Sequence, residues 1–144
     1  MAHGTPAHVT LLGPTEIAPD RLADVEAHLS AVAAEHSPFS MHLRGTGTFR
    51  PVTEVVFVAV AAGISECERL AAAIGGAEVV RRVNRFPYHP HVTVAQDVPS
   101  EALDEVYEDL AGFSARFLVD RFTLFSHSGD VRWRPLREYR LTGR

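Results

Sequence analysis

Polar and apolar residues alternate strictly in two short stretches of this chain, His8-Val9-Thr10-Leu11 and His91-Val92-Thr93-Val94. Alternation of this kind marks a half-buried strand. Successive side chains of a strand point to opposite faces. His8 and Thr10 therefore share one face while Val9 and Leu11 take the other, and His91 and Thr93 repeat the arrangement. Elsewhere the period changes. Leu22, Val25, Leu29, Val32 and His36 recur at helical spacing behind Pro19, a residue suited to a first helical turn. Residues 39–50 and 54–60 read as strands, and the unbroken apolar run Val55-Val56-Phe57-Val58-Ala59-Val60 predicts a central strand covered on both faces. Ser65 with Glu68 predicts a capping box, and Gly75 the end of that helix. Pro99-Ser100-Glu101 opens a third helix, with Leu103, Val106, Tyr107 and Leu110 on one stripe. Residues 113–126 and 131–141 read as a hairpin about Ser128-Gly129-Asp130.

The order of elements in the first half recurs in the second: an HxT strand, a helix, then two strands. A local echo accompanies it, Phe39-Ser40-Met41-His42-Leu43 beside Phe113-Ser114-Ala115-Arg116-Phe117. Two copies of a small unit fit this better than a longer repeat array. The predicted fold class is α+β, with two similar lobes, roughly 1–75 and 76–144, related by a pseudo-twofold axis. Each lobe is an antiparallel sheet backed by helices, and the two HxT strands line a central cleft. The length of 144 residues suits one domain with a real core.

Composition narrows the partners. The net charge of −4 argues against a protein that grips long nucleic acid through its phosphates. The charge is uneven, however: residues 110–144 hold seven arginines against Asp120, Asp130 and Glu138. All 14 basic residues are arginine, a bias we ascribe to the genome, although arginine also suits bidentate phosphate contacts. Cys67 is the single cysteine and gives no internal disulfide; its place on an apolar helix stripe predicts a buried, inert thiol. No apolar run is long enough to span a bilayer and no signal-peptide core is present, so a cytoplasmic protein without membrane contact is expected.

Two imidazoles and two hydroxyls facing each other across a groove suit phosphodiester chemistry without a metal. The doubled HxT motif, inside duplicated lobes, resembles the two-histidine (2H) phosphoesterases, a superfamily that includes bacterial 2′-5′ RNA ligases and 2′,3′-cyclic phosphodiesterases. The contexts Pro6-Ala7-His8-Val9-Thr10-Leu11-Leu12-Gly13-Pro14 and Pro90-His91-Val92-Thr93-Val94-Ala95 look like the ligase-like branch. The resemblance implies His8 and His91 as the catalytic acid and base, with Thr10 and Thr93 binding the substrate phosphate. It implies opening of a 2′,3′-cyclic phosphate on a small RNA end or nucleotide, and in reverse an ATP-independent ligation. No metal and no cofactor are implied, and a monomer is expected. The alternative is a catalytically silent protein that binds RNA ends or nucleotide phosphates. Members of the family usually begin with a strand and helix ahead of the first motif. Either the start lies further upstream or the chain is a natural truncation.

Weaker signals stay open between function and structure. His89-Pro90-His91 reads as a metal-dependent phosphohydrolase site or, more simply, as a rigid lead into a strand, because no other ligand type sits at suitable spacing. Arg81, Arg82, Arg85, Phe86 and Tyr88 combine charge with aromatic rings, as in a lip that holds phosphate and stacks a base; a solvated loop with Phe86 in the core fits as well. From this loop Arg85 and Tyr88, with Trp133 further on, are candidate substrate contacts, and Trp133 reads equally as core. Gly45-Thr46-Gly47-Thr48 predicts a bulge or bend rather than a phosphate loop. His3, His28, His36, His42 and His127 are given no role.

Overall fold

The apolar run at Val55–Val60 becomes the middle of a sheet. In a computed structural model, which describes residues 6–80, 87–127, 129 and 133–144, it lies in β2 (Val55–Ala62). Its neighbours are β1 (Phe39–Thr48) and β3 (His91–Gln96), and β4 (Ser114–Val119) completes an antiparallel sheet in the order β3-β2-β1-β4. Val56, Phe57 and Val58 are consecutive and all buried, so this strand is covered on both faces. A second antiparallel sheet holds β5 (Arg121–Ser126) and β6 (Arg134–Arg140).

One strand differs from expectation. Residues 113–126 read as one strand but divide at Asp120, where β4 leaves β1 and β5 begins its pairing with β6. Asp120 and Arg121 form an adjacent ion pair, Nε to Oδ1 3.0 Å, and the Asp120 carbonyl accepts the Leu141 amide at 2.9 Å. Two consecutive charges thus interrupt the alternation where the chain changes sheets. The larger sheet draws on both halves of the sequence: β1 and β2, from before residue 75, lie side by side between β3 and β4 from beyond it.

Helices close one side of this frame. The stripe predicted behind Pro19 is α1 (Leu22–Glu35), entered through a 3-10 turn at Pro19–Arg21; it buries Val25, Leu29, Val32 and Ala33. α2 (Ile64–Gly75) buries Cys67, Leu70 and Ile74. Both join Phe39, Met41 and Val60 of the large sheet, Tyr139 of the small one and Leu141 just beyond it in a single core. The capping box expected at Ser65 is not formed. Gly63 takes the N-cap instead at φ 102°, with its carbonyl accepting the Cys67 amide at 3.0 Å. A Cβ at Gly63 would sit 3.3 Å from the Phe39 ring and the Ser40 carbonyl, so tight packing and left-handed backbone together select glycine. Cys67 is buried as expected, and burial, then Glu66 and Glu68, push its thiol up to about 11, which keeps it protonated at neutral pH.

α3 (Ser100–Asp109) packs across β1, β2 and β3, with Leu103 fully buried. Thr46 Oγ1 donates to the Tyr107 carbonyl at 2.9 Å, and Arg50 pairs with Asp104 at 2.9 Å. Thr46 lies opposite Val58, and Val58 opposite Val92, so this helix covers the face of the sheet that carries Val92. Among the described residues, no helix is long and apolar enough to cross a membrane.

Candidate active site

The first HxT segment, expected as a strand, forms only an isolated antiparallel bridge between Val9 and Val92. That register sets His8 opposite Thr93 and Thr10 opposite His91. Val9 and Leu11 pack against the core while His8 and Thr10 are exposed, and in β3 alternation turns His91 and Thr93 away from Val92, so all four polar side chains point away from the helices. His8 and His91 then stand diagonally across the pair, a relation that separates residues by about 7–8 Å. The chain therefore brings together the two motifs whose first histidines are 83 positions apart in sequence.

The two imidazoles are held in the same way. His8 Nδ1 donates to the Pro6 carbonyl at 2.8 Å, and His91 Nδ1 to the His89 carbonyl at 2.6 Å, each two residues back. A carbonyl only accepts, so Nδ1 carries a proton in both rings and a neutral ring presents Nε2 as its acceptor. The surroundings differ. His8 and Thr10 are exposed, whereas His91 and Thr93 are half-buried. Phe49 meets the His91 ring edge-on at 5.0 Å, Phe57 lies 5.3 Å from it and His89 5.5 Å. Burial lowers the His91 pKa below the ordinary imidazole value; His89 and His8 push the same way, against the hydrogen bond to the His89 backbone.

Register explains the aromatic wall. Phe57 lies opposite Thr93 and Ala59 opposite His91, which puts both on the histidine face. Gly47 lies opposite Phe57, and a Cβ at Gly47 would fall 2.5 Å from Phe57 Cζ. The phenyl ring therefore rests on bare backbone. Gly45 serves differently: its φ is 72°, and the β1–β2 register slips between Leu43 and Thr46. The Gly-Thr-Gly-Thr stretch thus supplies the expected bulge and, at Gly47, a seat for the ring beside His91. Gly47→Ala is expected to destabilise the fold by about 1–3 kcal/mol through overpacking, read as a lowered denaturant midpoint.

Tyr88, singled out as a substrate contact, is half-buried against the core, and its hydroxyl donates to the Thr10 carbonyl at 2.8 Å. It ties the first motif down from behind. Trp133 immediately precedes β6, with its ring 4.9 Å from His127. Arg85, with Arg81, Arg82 and Phe86, lies outside the described residues. Among the described residues no group of three or more His, Cys, Asp or Glu side chains is placed to hold a metal ion. Sequence reasoning paired His89 with His91 but missed Phe49 and Phe57 as neighbours of that ring, because both come from a distant part of the chain.

Comparison with known proteins follows the same line. Residues 1–131 match the family model of the 2′-5′ RNA ligase superfamily. A protein of Oceanobacillus iheyensis that bears a phosphoesterase name is 27% identical over 130 residues, covering 89% of this chain and 75% of the relative. The crystal structure of TT0787 of Thermus thermophilus superimposes with a TM-score of 0.73 at 26% identity, over 96% of this chain and 81% of that one. Escherichia coli LigT complexed with ATP gives a TM-score of 0.64 at 25% identity, over 94% and 76%.

Proposed function

The chain belongs to the 2′-5′ RNA ligase superfamily, and from that premise we propose that it is a metal-independent phosphodiesterase that opens 2′,3′-cyclic phosphates on RNA ends or nucleotides. The observation that carries this reading is the pair of imidazoles on one sheet face, each with Nδ1 bound to a backbone carbonyl and Nε2 left for substrate. A nucleotide ligand is in keeping with E. coli LigT, which was crystallised with ATP.

The cyclic phosphate sits between the two rings. His91 is the base, because its burial favours the neutral ring that can take a proton. It removes a proton from the attacking water as the water oxygen bonds to phosphorus. The bond from phosphorus to one ribose oxygen breaks on the opposite side, and that oxygen takes the proton from Nε2 of His8, the more exposed partner. Thr10 and Thr93 donate hydroxyl hydrogen bonds to the non-bridging oxygens, where negative charge builds. The threonines alternate with the histidines across the pair, so each face of the phosphate meets one of each. Run in reverse with a 5′-hydroxyl in place of water, the same groups would join two RNA ends without ATP. Bulk water favours hydrolysis.

A panel of nucleoside and oligonucleotide cyclic phosphates followed by phosphorus NMR in excess EDTA tests the reading. Ring opening that survives chelation is expected; activity that requires added metal would overturn the mechanism. The pH profile offers a separate check. A base works only when neutral, so kcat/KM falls as pH drops through its pKa in the free enzyme. The acidic limb is expected below pH 6.5, and Phe49→Ala, which opens the ring to water, should move it upward. An acidic limb at or above 6.5 in the native protein would remove His91 from the role of base.

A further inference from the structure

The sequence echo has a structural counterpart that the reaction itself does not use. β1 and β4 carry the two copies, and they pair with each other, placing His42 directly opposite Arg116 and Arg44 opposite Ser114. The echo makes His42 and Arg116 equivalent positions in the two copies, so the duplication brings equivalent basic groups together here as it does at the histidine pair. His42, only 8% exposed, is held by a 2.9 Å hydrogen bond between its Nε2 and Ser114 Oγ. Arg44 and Arg116 are exposed, and both act electrostatically on His42. No acidic partner to either guanidinium is found among the described residues, whereas Arg21, Arg50, Arg121 and Arg137 each have one. Diagonal cross-strand neighbours of like charge repel. Two of them around a histidine, in a chain of net charge −4, form a local field that only an anion would neutralise.

Register places this cluster on the catalytic face. Leu43 lies opposite Val60, on the side of Val58 and Val92 that the helices cover. His42 and Arg44, the neighbours of Leu43, therefore point to the same side as His91 and Thr93. Strands lie about 4.8 Å apart, so β1 and β4 are about 10 and 15 Å from β3. That is too far to share the reacting phosphorus, and it suits a phosphate further along a chain.

We propose that Arg44 and Arg116 form a subsite for an internal phosphodiester, which makes the preferred substrate an oligoribonucleotide 3′ end rather than a free mononucleotide. This rests on the cyclic phosphodiesterase reading above. Arginine suits the task because its planar fork pairs two donors with two phosphate oxygens. Ser114 and His42 hold β1 and β4 in register beneath the two guanidiniums.

The test compares a nucleoside 2′,3′-cyclic phosphate with a trinucleotide ending in the same group, in native protein and in the Arg44→Gln/Arg116→Gln double variant. Native kcat/KM is expected to be at least about tenfold higher for the trinucleotide, with the double variant losing most of that preference. A trinucleotide with a plain 3′-phosphate, followed by fluorescence anisotropy, reports binding without turnover. Its affinity should fall about tenfold in the double variant, and the salt slope should flatten by about 0.7 for each guanidinium removed. Equal affinity and an equal salt slope in the two proteins would overturn the subsite. Native protein that opens neither cyclic phosphate would instead overturn the catalytic reading, and the anisotropy arm would still decide the arginines.

Discussion

Replacing His8 with alanine is expected to lower kcat for ring opening by about 100- to 10,000-fold, the usual worth of a positioned general acid. The ring is exposed and its hydrogen bond runs to the nearby Pro6 carbonyl, so its loss removes little packing. The denaturant midpoint should barely move. His91→Gln, which keeps a side chain against Phe49 and Phe57, is expected to cost a similar factor. The double variant should be little worse than either single one, because two groups that act on one phosphorus fail as a unit. Near-native turnover in both single variants would leave the imidazoles without a catalytic part. The assay is single-turnover hydrolysis of a nucleoside 2′,3′-cyclic phosphate, which separates chemistry from product release.

Removing one threonine hydroxyl is the second large effect. Thr93→Val keeps shape and β-branching on a half-buried strand but deletes the hydroxyl proposed to bind the substrate phosphate. Loss of one such donor to developing negative charge typically lowers kcat about 100- to 1,000-fold. If the hydroxyl serves the transition state more than the ground state, as proposed, kcat should fall with KM changed less. A variant whose KM rises while kcat holds would make Thr93 a ground-state contact only. Thr10→Val is expected to behave alike, since Thr10 stands opposite His91 as Thr93 stands opposite His8.

Much of this was legible in the residues. The period-two pattern at His8–Leu11 and His91–Val94 sets which side chains share a face, and the apolar run at Val55–Val60 marks the central strand. Alternation is local: β3 forms as a strand, and at the first motif, which forms only a bridge, Val9 and Leu11 still pack on the core while His8 and Thr10 are exposed. Pairing between distant strands is not local. Nothing in the sequence says that β1 pairs with β4, that Phe57 lies opposite Thr93, or that strand 113–126 changes sheets at Asp120. The aromatic wall around His91 and the Arg44–His42–Arg116 cluster follow from that long-range register. The helix start at Ser65 went astray for a related reason: the chain leaves β2 so close to Phe39 that backbone geometry at Gly63 overrides side-chain capping. Tyr88 read as a polar lip, yet its hydroxyl turns inward to the Thr10 carbonyl.

The most direct measurement is a crystal structure with a nucleoside 2′,3′-cyclic vanadate, whose five-coordinate metal centre mimics the phosphorus in flight. The account predicts Nε2 of His8 and Nε2 of His91 on opposite sides of that centre, each about 2.6–3.2 Å from an apical oxygen. The hydroxyls of Thr10 and Thr93 should lie on the equatorial oxygens. A vanadate bound elsewhere, or touching one imidazole while the other faces solvent, would contradict it.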